Sequence, residues 1–228
     1  MWIRVVRASL RQAVGTRYAA PMSAIAIARR RPYTWDDYRA WPDDERWEIV
    51  AGEAYAMSPA PSTRHQHIVT ALTHALMTPF AGKLCRPIVA PVDVKLDDLN
   101  VVQPDLVVVG RKEQIRRTHV EGPPALAIEV LSPSSALHDR AVKLPLYARH
   151  GVAEVWLVTP YPNCVEVFLL DGPGYRLAGV WRRQDALCSP TFKDLALDLA
   201  PVFDFPLEPG EEPPAVREPP ARYGASRA

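Results

Sequence analysis

The chain has 228 residues, 48% of them hydrophobic, and a formal net charge of +1 at pH 7. A chain of this size supports one substantial core, and no apolar run approaches the roughly 20 residues that a membrane-spanning helix needs. Residues 1–31 carry seven arginines and no acid, so the remaining 20 basic residues face all 26 acidic ones, a net of −6. An acidic body excludes broad, charge-driven coating of nucleic acid and leaves room only for a local basic patch.

The basic segment at residues 1–31 reads as an extension, disordered or non-native, with Met22 a second start just before the organised region. A transit peptide and a nucleic-acid-binding arm are the competing readings of the same composition. Thr34 is an N-cap ahead of the acidic turn Asp36-Asp37, which predicts a short helix ending near Pro42. Trp47–Val50 and Glu53–Met57, joined by Ala51-Gly52, predict a hairpin about a two-residue turn. Ser62 caps a second helix whose apolar stripe, Ile68, Val69, Leu72, Ala75 and Leu76, runs to Pro79 and faces a core.

Ile88 to Leu96 reads as one strand, Val101 to Val109 as the next, and Ala125 to Leu131 as a third. Ser132-Pro133-Ser134-Ser135 then opens a helix to about His150, with Gly151 as its stop and Pro145 as a kink within it. Glu154 to Thr159 and Cys164 to Leu170 are strands about a proline-rich turn, residues 175–180 add another, and Leu195 to Val202 is a last apolar segment. From about Leu207 the chain is too rich in Pro and Glu to pack, and a disordered tail is expected over 207–228. The domain therefore spans 32–206, and its element order is α+β. Cys85, Cys164 and Cys188 form an odd set without a CxxC pair, which fits neither a disulfide framework nor a thiolate zinc site. They read as ordinary thiols of a reducing compartment, the cytoplasm.

Two carboxylates stand out. Asp105 follows Pro104 in an apolar run, and Glu129 sits inside Ala125-Leu126-Ala127-Ile128-Glu129-Val130-Leu131. A buried carboxylate is costly unless it is paired, hydrogen-bonded or bound to metal, so two of them together point to a divalent cation. Asp93, alternating within its strand, is a reserve acid for the same cluster. Glu53 reads as exposed, and Trp47 and Trp156 as core. His65 and His67 are too close in sequence to share a helix face as zinc ligands, and no HExxH occurs. His67, His74, His119, His138 and His150 find no partner in the sequence.

The segments Trp47-Glu48-Ile49-Val50-Ala51-Gly52-Glu53, Arg64-His65-Gln66, Val102-Gln103-Pro104-Asp105 and Ile128-Glu129-Val130-Leu131-Ser132-Pro133-Ser134 form a pattern with Lys143-Leu144, Tyr147 and Gly151-Val152-Ala153-Glu154-Val155-Trp156. This pattern resembles the PD-(D/E)XK nuclease superfamily and, within it, the restriction endonuclease family known as Uma-two, over about residues 33–205. The resemblance implies a restriction-endonuclease-like α+β fold with a mixed central sheet flanked by helices. It implies an endonuclease that hydrolyses DNA phosphodiesters with Mg2+, or Mn2+ in its place, and works as a homodimer.

Asp105, Glu129 and the carbonyl of Val130 would hold the metal, because Mg2+ prefers hard oxygen ligands and keeps several waters. Glu48 would be a further acid. A standard E-x-K arrangement puts lysine at position 131, where this chain has Leu131, and the resemblance offers Lys143 as the migrated replacement. A lysine can act from a different backbone origin because it works as a point charge on a flexible stem. His65 and Tyr147 would stand behind these groups. The rival reading is a nuclease-like module that binds nucleic acid or protein without cleaving, which the missing E-x-K lysine and the acidic body favour; a phosphoesterase for another substrate is a third.

Overall fold

The computed structural model describes residues 31–206 apart from 43–44 and 58–59. The extension as far as Arg30, the start at Met22 and the tail from Leu207 lie outside the described residues. Thr34 caps α1 (Trp35–Tyr38) in a full capping box: its hydroxyl accepts from the Asp37 amide, and Asp37 accepts from the Thr34 amide. The hairpin forms as β1 (Trp47–Val50) and β2 (Glu53–Ala56), with Ala51 at φ 52 and Gly52 at φ 77. Positive φ at both central residues matches the right-handed twist of the two strands. Ser62 accepts from the His65 amide at the start of α2 (Thr63–Met77), which buries Ile68, Val69, Leu72 and Leu76.

Two runs expected as single strands are each split by a proline. Ile88 to Leu96 divides into β3 (Arg86–Val89) and β4 (Asp93–Asp97), and Val101 to Val109 into β5 (Asn100–Val102) and β6 (Leu106–Val109). Pro91 and Pro104 lack the amide that a central ladder requires, so each marks the place where the chain leaves one sheet and joins another. The strands consequently build two mixed sheets within the α+β fold expected. A five-stranded sheet has the order β2-β1-β5-β4-β7, and a six-stranded sheet has the order β11-β10-β9-β8-β6-β3. Here β7 is His119–Glu121, β8 Leu126–Val130, β9 Glu154–Thr159, β10 Cys164–Asp171 and β11 Gly174–Arg182. The sequence reading missed β7 and also β12 (Ala186–Cys188), which pairs with β13 (Ala196–Asp198). Three-residue strands are too short to show a period.

The six-stranded sheet is apolar on both faces, and its side chains sort by parity. Leu106, Val108, Leu126, Ile128, Trp156 and Val158 pack with α2. Val107, Val109, Ala127, Leu131, Val155 and Leu157 pack with Val50, Val94 and Val102 of the other sheet. Because side chains alternate along a strand, Asp105 falls on the side of Val107, and Glu129 on the side of Ala127 and Leu131. The two acids therefore face the gap between the sheets.

Strands β8 and β9 run parallel, so the chain must cross over between them. The crossover is the segment expected as one kinked helix. It consists of α3 (Ala136–His138), a π-helical turn over Asp139–Lys143, and α4 (Leu144–Arg149) with Pro145 in its first turn. Proline has no N–H for the carbonyl four residues back and its ring crowds that carbonyl, and a widened turn accommodates both facts.

Gly52 has no room for a side chain, since a Cβ there would lie 2.4 Å from the Pro32 Cβ. Gly52→Ala should lower stability by about 1–3 kcal/mol through the clash and the left-handed backbone, whereas Ala51→Gly should raise it by up to about 1 kcal/mol. Chemical denaturation of the two variants beside the parent checks both signs.

Candidate active site

The crossover delivers an ammonium to the acids. Lys143 Nζ lies 2.7 Å from Glu129 Oε1, 3.0 Å from Glu48 Oε1 and 3.7 Å from Asp139 Oδ1. Lys143, Glu129, Glu48 and Asp139 are all buried. Position 131, where an E-x-K lysine would stand, is occupied by a buried leucine inside an apolar cluster. The widened turn that carries Asp139 and Lys143 aims both at the strand ends, four residues apart on one side.

Each acid is anchored separately. Glu129 Oε1 also accepts from the Tyr147 hydroxyl at 2.5 Å, one turn beyond Lys143. Glu48 Oε1 accepts from the Gln103 amide at 2.8 Å, and His138 Nε2 lies 3.3 Å from Glu48 Oε2 without a hydrogen-bonding angle. Asp105 sits just before β6, in the gap between strands, and is partly exposed. Continuing the β6–β8 register, in which Leu106 faces Ile128, sets Asp105 opposite Glu129. Directly opposed antiparallel residues have Cβ atoms about 5 Å apart. Asp105 Oδ2 accepts from the Val130 amide at 2.8 Å and lies 3.3 Å from His65 Nε2, which arrives from the first turn of α2. Val130 thus meets Asp105 through its N–H, where the sequence reading assigned a role to its carbonyl.

The electrostatics are lopsided. Three carboxyl groups, Glu48, Glu129 and Asp139, surround one ammonium, and Asp105 is a fourth acid opposite Glu129. Burial raises the Glu129 pKa well above its usual value; the Lys143 charge opposes this, while Asp139, Asp105 and Glu48 add to it. Asp139 is raised in the same way, by burial first. Burial also works to raise Glu48, but the Lys143 charge, His138 and the Gln103 amide together outweigh it and hold Glu48 at about 2. For Lys143, burial disfavours the charged form, yet Glu129 and Glu48 prevail and its pKa stands well above normal. His65 is likewise raised: burial opposes its charge, and the Asp105 contact overcomes it.

A divalent cation is the complement of this excess negative charge. Asp105 Oδ1 and Glu129 Oε2 accept no hydrogen bond from any described residue, and both are hard oxygen donors. Among the described residues no three His, Cys, Asp or Glu side chains are arranged around a common metal position. Asp105 Oδ1 and Glu129 Oε2 are the two oxygens that could hold an ion whose remaining positions are filled by water and substrate oxygens, an arrangement Mg2+ accepts.

Other candidates go elsewhere. Asp93 is not in the cluster; its Oδ1 accepts from Tyr38 at 2.7 Å and from Gln103 Nε2 at 2.9 Å. Glu53 is exposed and Trp156 is fully buried. Two histidines left without partners by the sequence have them, His119 on Glu121 at 3.0 Å and His150 on Asp97 at 2.8 Å, and His138 stands beside Glu48 without a hydrogen bond to it. The sequence reading missed Asp139, His138 and Gln103. The four-residue spacing of Asp139 and Lys143 was the available signal, whereas Gln103 acts through its backbone and left none. The three cysteines are free, and no described helix is long and apolar enough to cross a membrane.

The model of the Uma2 family, described as putative restriction endonuclease, matches residues 35–200. The crystal structure of an Anabaena variabilis protein, described as a putative nuclease belonging to DUF820, superposes with a TM-score of 0.62 at 19% identity, covering 75% of this chain and 98% of that one. At that identity the likeness concerns the fold. An uncharacterized protein of Synechocystis sp. is 28% identical over 128 residues, which is 54% of this chain and 66% of the relative.

Because its pKa is lowered, Glu48 contributes stability that is fully present above its unfolded value of 4.5 and is lost as pH falls toward about 2. That contribution amounts to about 3 kcal/mol at most. Denaturant unfolding of the parent and Glu48→Gln at pH 6 and pH 3 should show the difference between them shrinking at the lower pH.

Proposed function

The chain belongs to the Uma2 family, whose model spans residues 35–200, and from that premise we propose that it is a Mg2+-dependent endonuclease hydrolysing DNA phosphodiester bonds. The observation that carries this reading is Lys143 Nζ at 2.7 Å from Glu129 Oε1, a lysine and an acid side by side although they come from a crossover helix and a strand. The missing lysine at position 131 and the acidic body favour a non-cleaving module, and this contact supports the enzyme in its place.

The chain's own groups divide the work. Asp105 and Glu129 would hold the metal through the oxygens they leave free, and the bound ion would supply charge neutralisation at the phosphate and a water of lowered pKa. Glu48, ionised down to about pH 2, keeps Lys143 protonated and in place. An ammonium has three N–H donors, and Lys143 shares its charge with Glu129 at 2.7 Å and Glu48 at 3.0 Å, contacts that two of the donors would serve. The third is available for a non-bridging phosphate oxygen, where charge increases on the way to the transition state. Tyr147 steadies Glu129, and the Val130 amide and His65 steady Asp105. Overall, a water oxygen forms one P–O bond, an ester P–O bond breaks, and the departing alkoxide takes a proton.

Incubation with plasmid and single-stranded DNA tests the reading directly. Cleavage is expected in Mg2+ or Mn2+ and none in EDTA, and Asp105→Ala and Lys143→Ala should each lower the rate by about 10²-fold or more. Cleavage that persists in EDTA, or that Asp105→Ala leaves unchanged, would overturn it. Mg2+ should also raise the melting temperature of the parent but not of Asp105→Asn. A rise in melting temperature with no cleavage of any DNA form would instead identify a binding module.

Removing only the cation from the cluster should be costly. Lys143→Met leaves Glu48, Glu129 and Asp139 buried without a counter-charge, and is expected to lose about 3–5 kcal/mol in denaturant unfolding. Adding Glu129→Gln to it should restore part of that loss.

A further inference from the structure

The five-stranded sheet carries a second charged feature at its far edge. Between β6 and β7 the chain reads Arg111-Lys112-Glu113-Gln114-Ile115-Arg116-Arg117, four cations against one acid on a body that is otherwise acidic. None of the four makes an ion pair or a side-chain hydrogen bond with any described residue, and all are exposed. Elsewhere the pattern differs: Arg31, Arg39, Arg140 and Arg183 are each paired with a carboxylate.

The loop that displays these cations is rigid. Gln114 is buried and donates to the carbonyls of Glu121 at 3.2 Å and Pro123 at 2.7 Å, and the Arg116 amide donates to the His119 carbonyl at 2.9 Å. A short 3-10 turn at Lys112–Gln114 precedes it, and Ile115 bridges to Val120. Held in this way, the guanidinium groups lose less freedom on meeting a ligand than they would on a floppy loop.

Arg116 and Arg117 also border a cavity of about 370 Å³, whose opposite wall includes Val92, Asp93 and Gln103. Gln103 connects this cavity to the catalytic cluster, since its side chain binds Asp93 and its amide holds Glu48. Asp93 Oδ1 is held on the inner side of the cavity by Tyr38 and Gln103, which leaves the contacts to an anion to Arg116 and Arg117. Across the sheet, β7 lies three strands from β1, which bears Glu48. At about 4.8 Å per strand that separation is about 14 Å, close to the rise of about four base pairs.

We propose that the 111–117 loop and its cavity form a grip for the DNA backbone, with Arg116 and Arg117 holding phosphates about four base pairs from the bond that is cut. The proposal rests on the endonuclease reading for the identity of the polyanion. It also resolves the charge problem: a body of net negative charge binds DNA through one rigid basic loop, not through its whole surface. Guanidinium groups suit the task because their planar forks engage phosphate oxygens in pairs.

The test measures binding of a fluorescent duplex across a salt series in Ca2+, which the same oxygen donors accept, together with plasmid cleavage in Mg2+. Arg116→Ala/Arg117→Ala should reduce the slope of log affinity against log salt by about 1.8, since each lost phosphate contact removes about 0.9. Affinity at physiological salt should fall by about tenfold or more. A control pair of exposed cations elsewhere, Arg149→Ala/Lys193→Ala, should leave both quantities unchanged, and equal melting temperatures show that each variant folds. If the parent cleaves and binds DNA but the arginine pair leaves the slope unchanged, the grip is refuted and the endonuclease reading survives. If the pair controls binding but the parent cleaves nothing, the grip stands and the endonuclease reading falls. A parent that neither binds nor cleaves refutes both.

Discussion

The buried ammonium of Lys143 is the interaction on which the rest of this site depends. It stands among Glu129, Glu48 and Asp139, three carboxyl groups that reach it from a strand of each sheet and from its own helical turn. Without it, burial would force those acids toward neutrality, because taking a carboxylate out of water costs several kcal/mol. With it, the Glu48 pKa is held at about 2 while those of Glu129 and Asp139 are raised. One cation cannot neutralise so many acids, and the remaining negative charge is what makes the cluster receptive to a metal and a phosphate.

The architecture exists to bring these groups together. Two prolines, Pro91 and Pro104, end ladders where the chain passes from one sheet to the other, so the ends of β4, β5 and β6 converge on a single gap. Asp105 occupies the second crossing point, just before β6, where its carbonyl accepts from the Ala90 amide and its carboxylate meets the Val130 amide and His65. The parallel pairing of β8 and β9 then requires a crossover, and that crossover passes over the same gap with Lys143 and Tyr147 on it.

Moving the lysine from strand to crossover has a physical logic. On the strand, position 131 would point into the cluster formed by Val107, Leu146 and Leu157, where an ammonium would lack partners. On the widened turn the same charge approaches from the open end of the sheet, where carboxylates are waiting. Pro145 is part of that arrangement, for a regular helix would be strained by it and the π-helical turn is not.

The sequence by itself determined the local grammar. Thr34 and Ser62 as caps, Ala51-Gly52 as a hairpin turn, the apolar stripe of α2 and the acids in apolar runs were all legible, because each depends on residues a few positions apart. The resemblance carried by Glu48, Asp105, Glu129 and Lys143 added the family and fold. What only the tertiary structure decided was which groups touch: that the prolines divide the strands between two sheets, that Asp139 and His138 join the cluster, that Gln103 holds Glu48 through its amide, and that Asp93 lies outside. Those contacts join residues as far apart in the chain as Glu48 and His138, and they are fixed by sheet order and crossover geometry, which local periodicity does not encode.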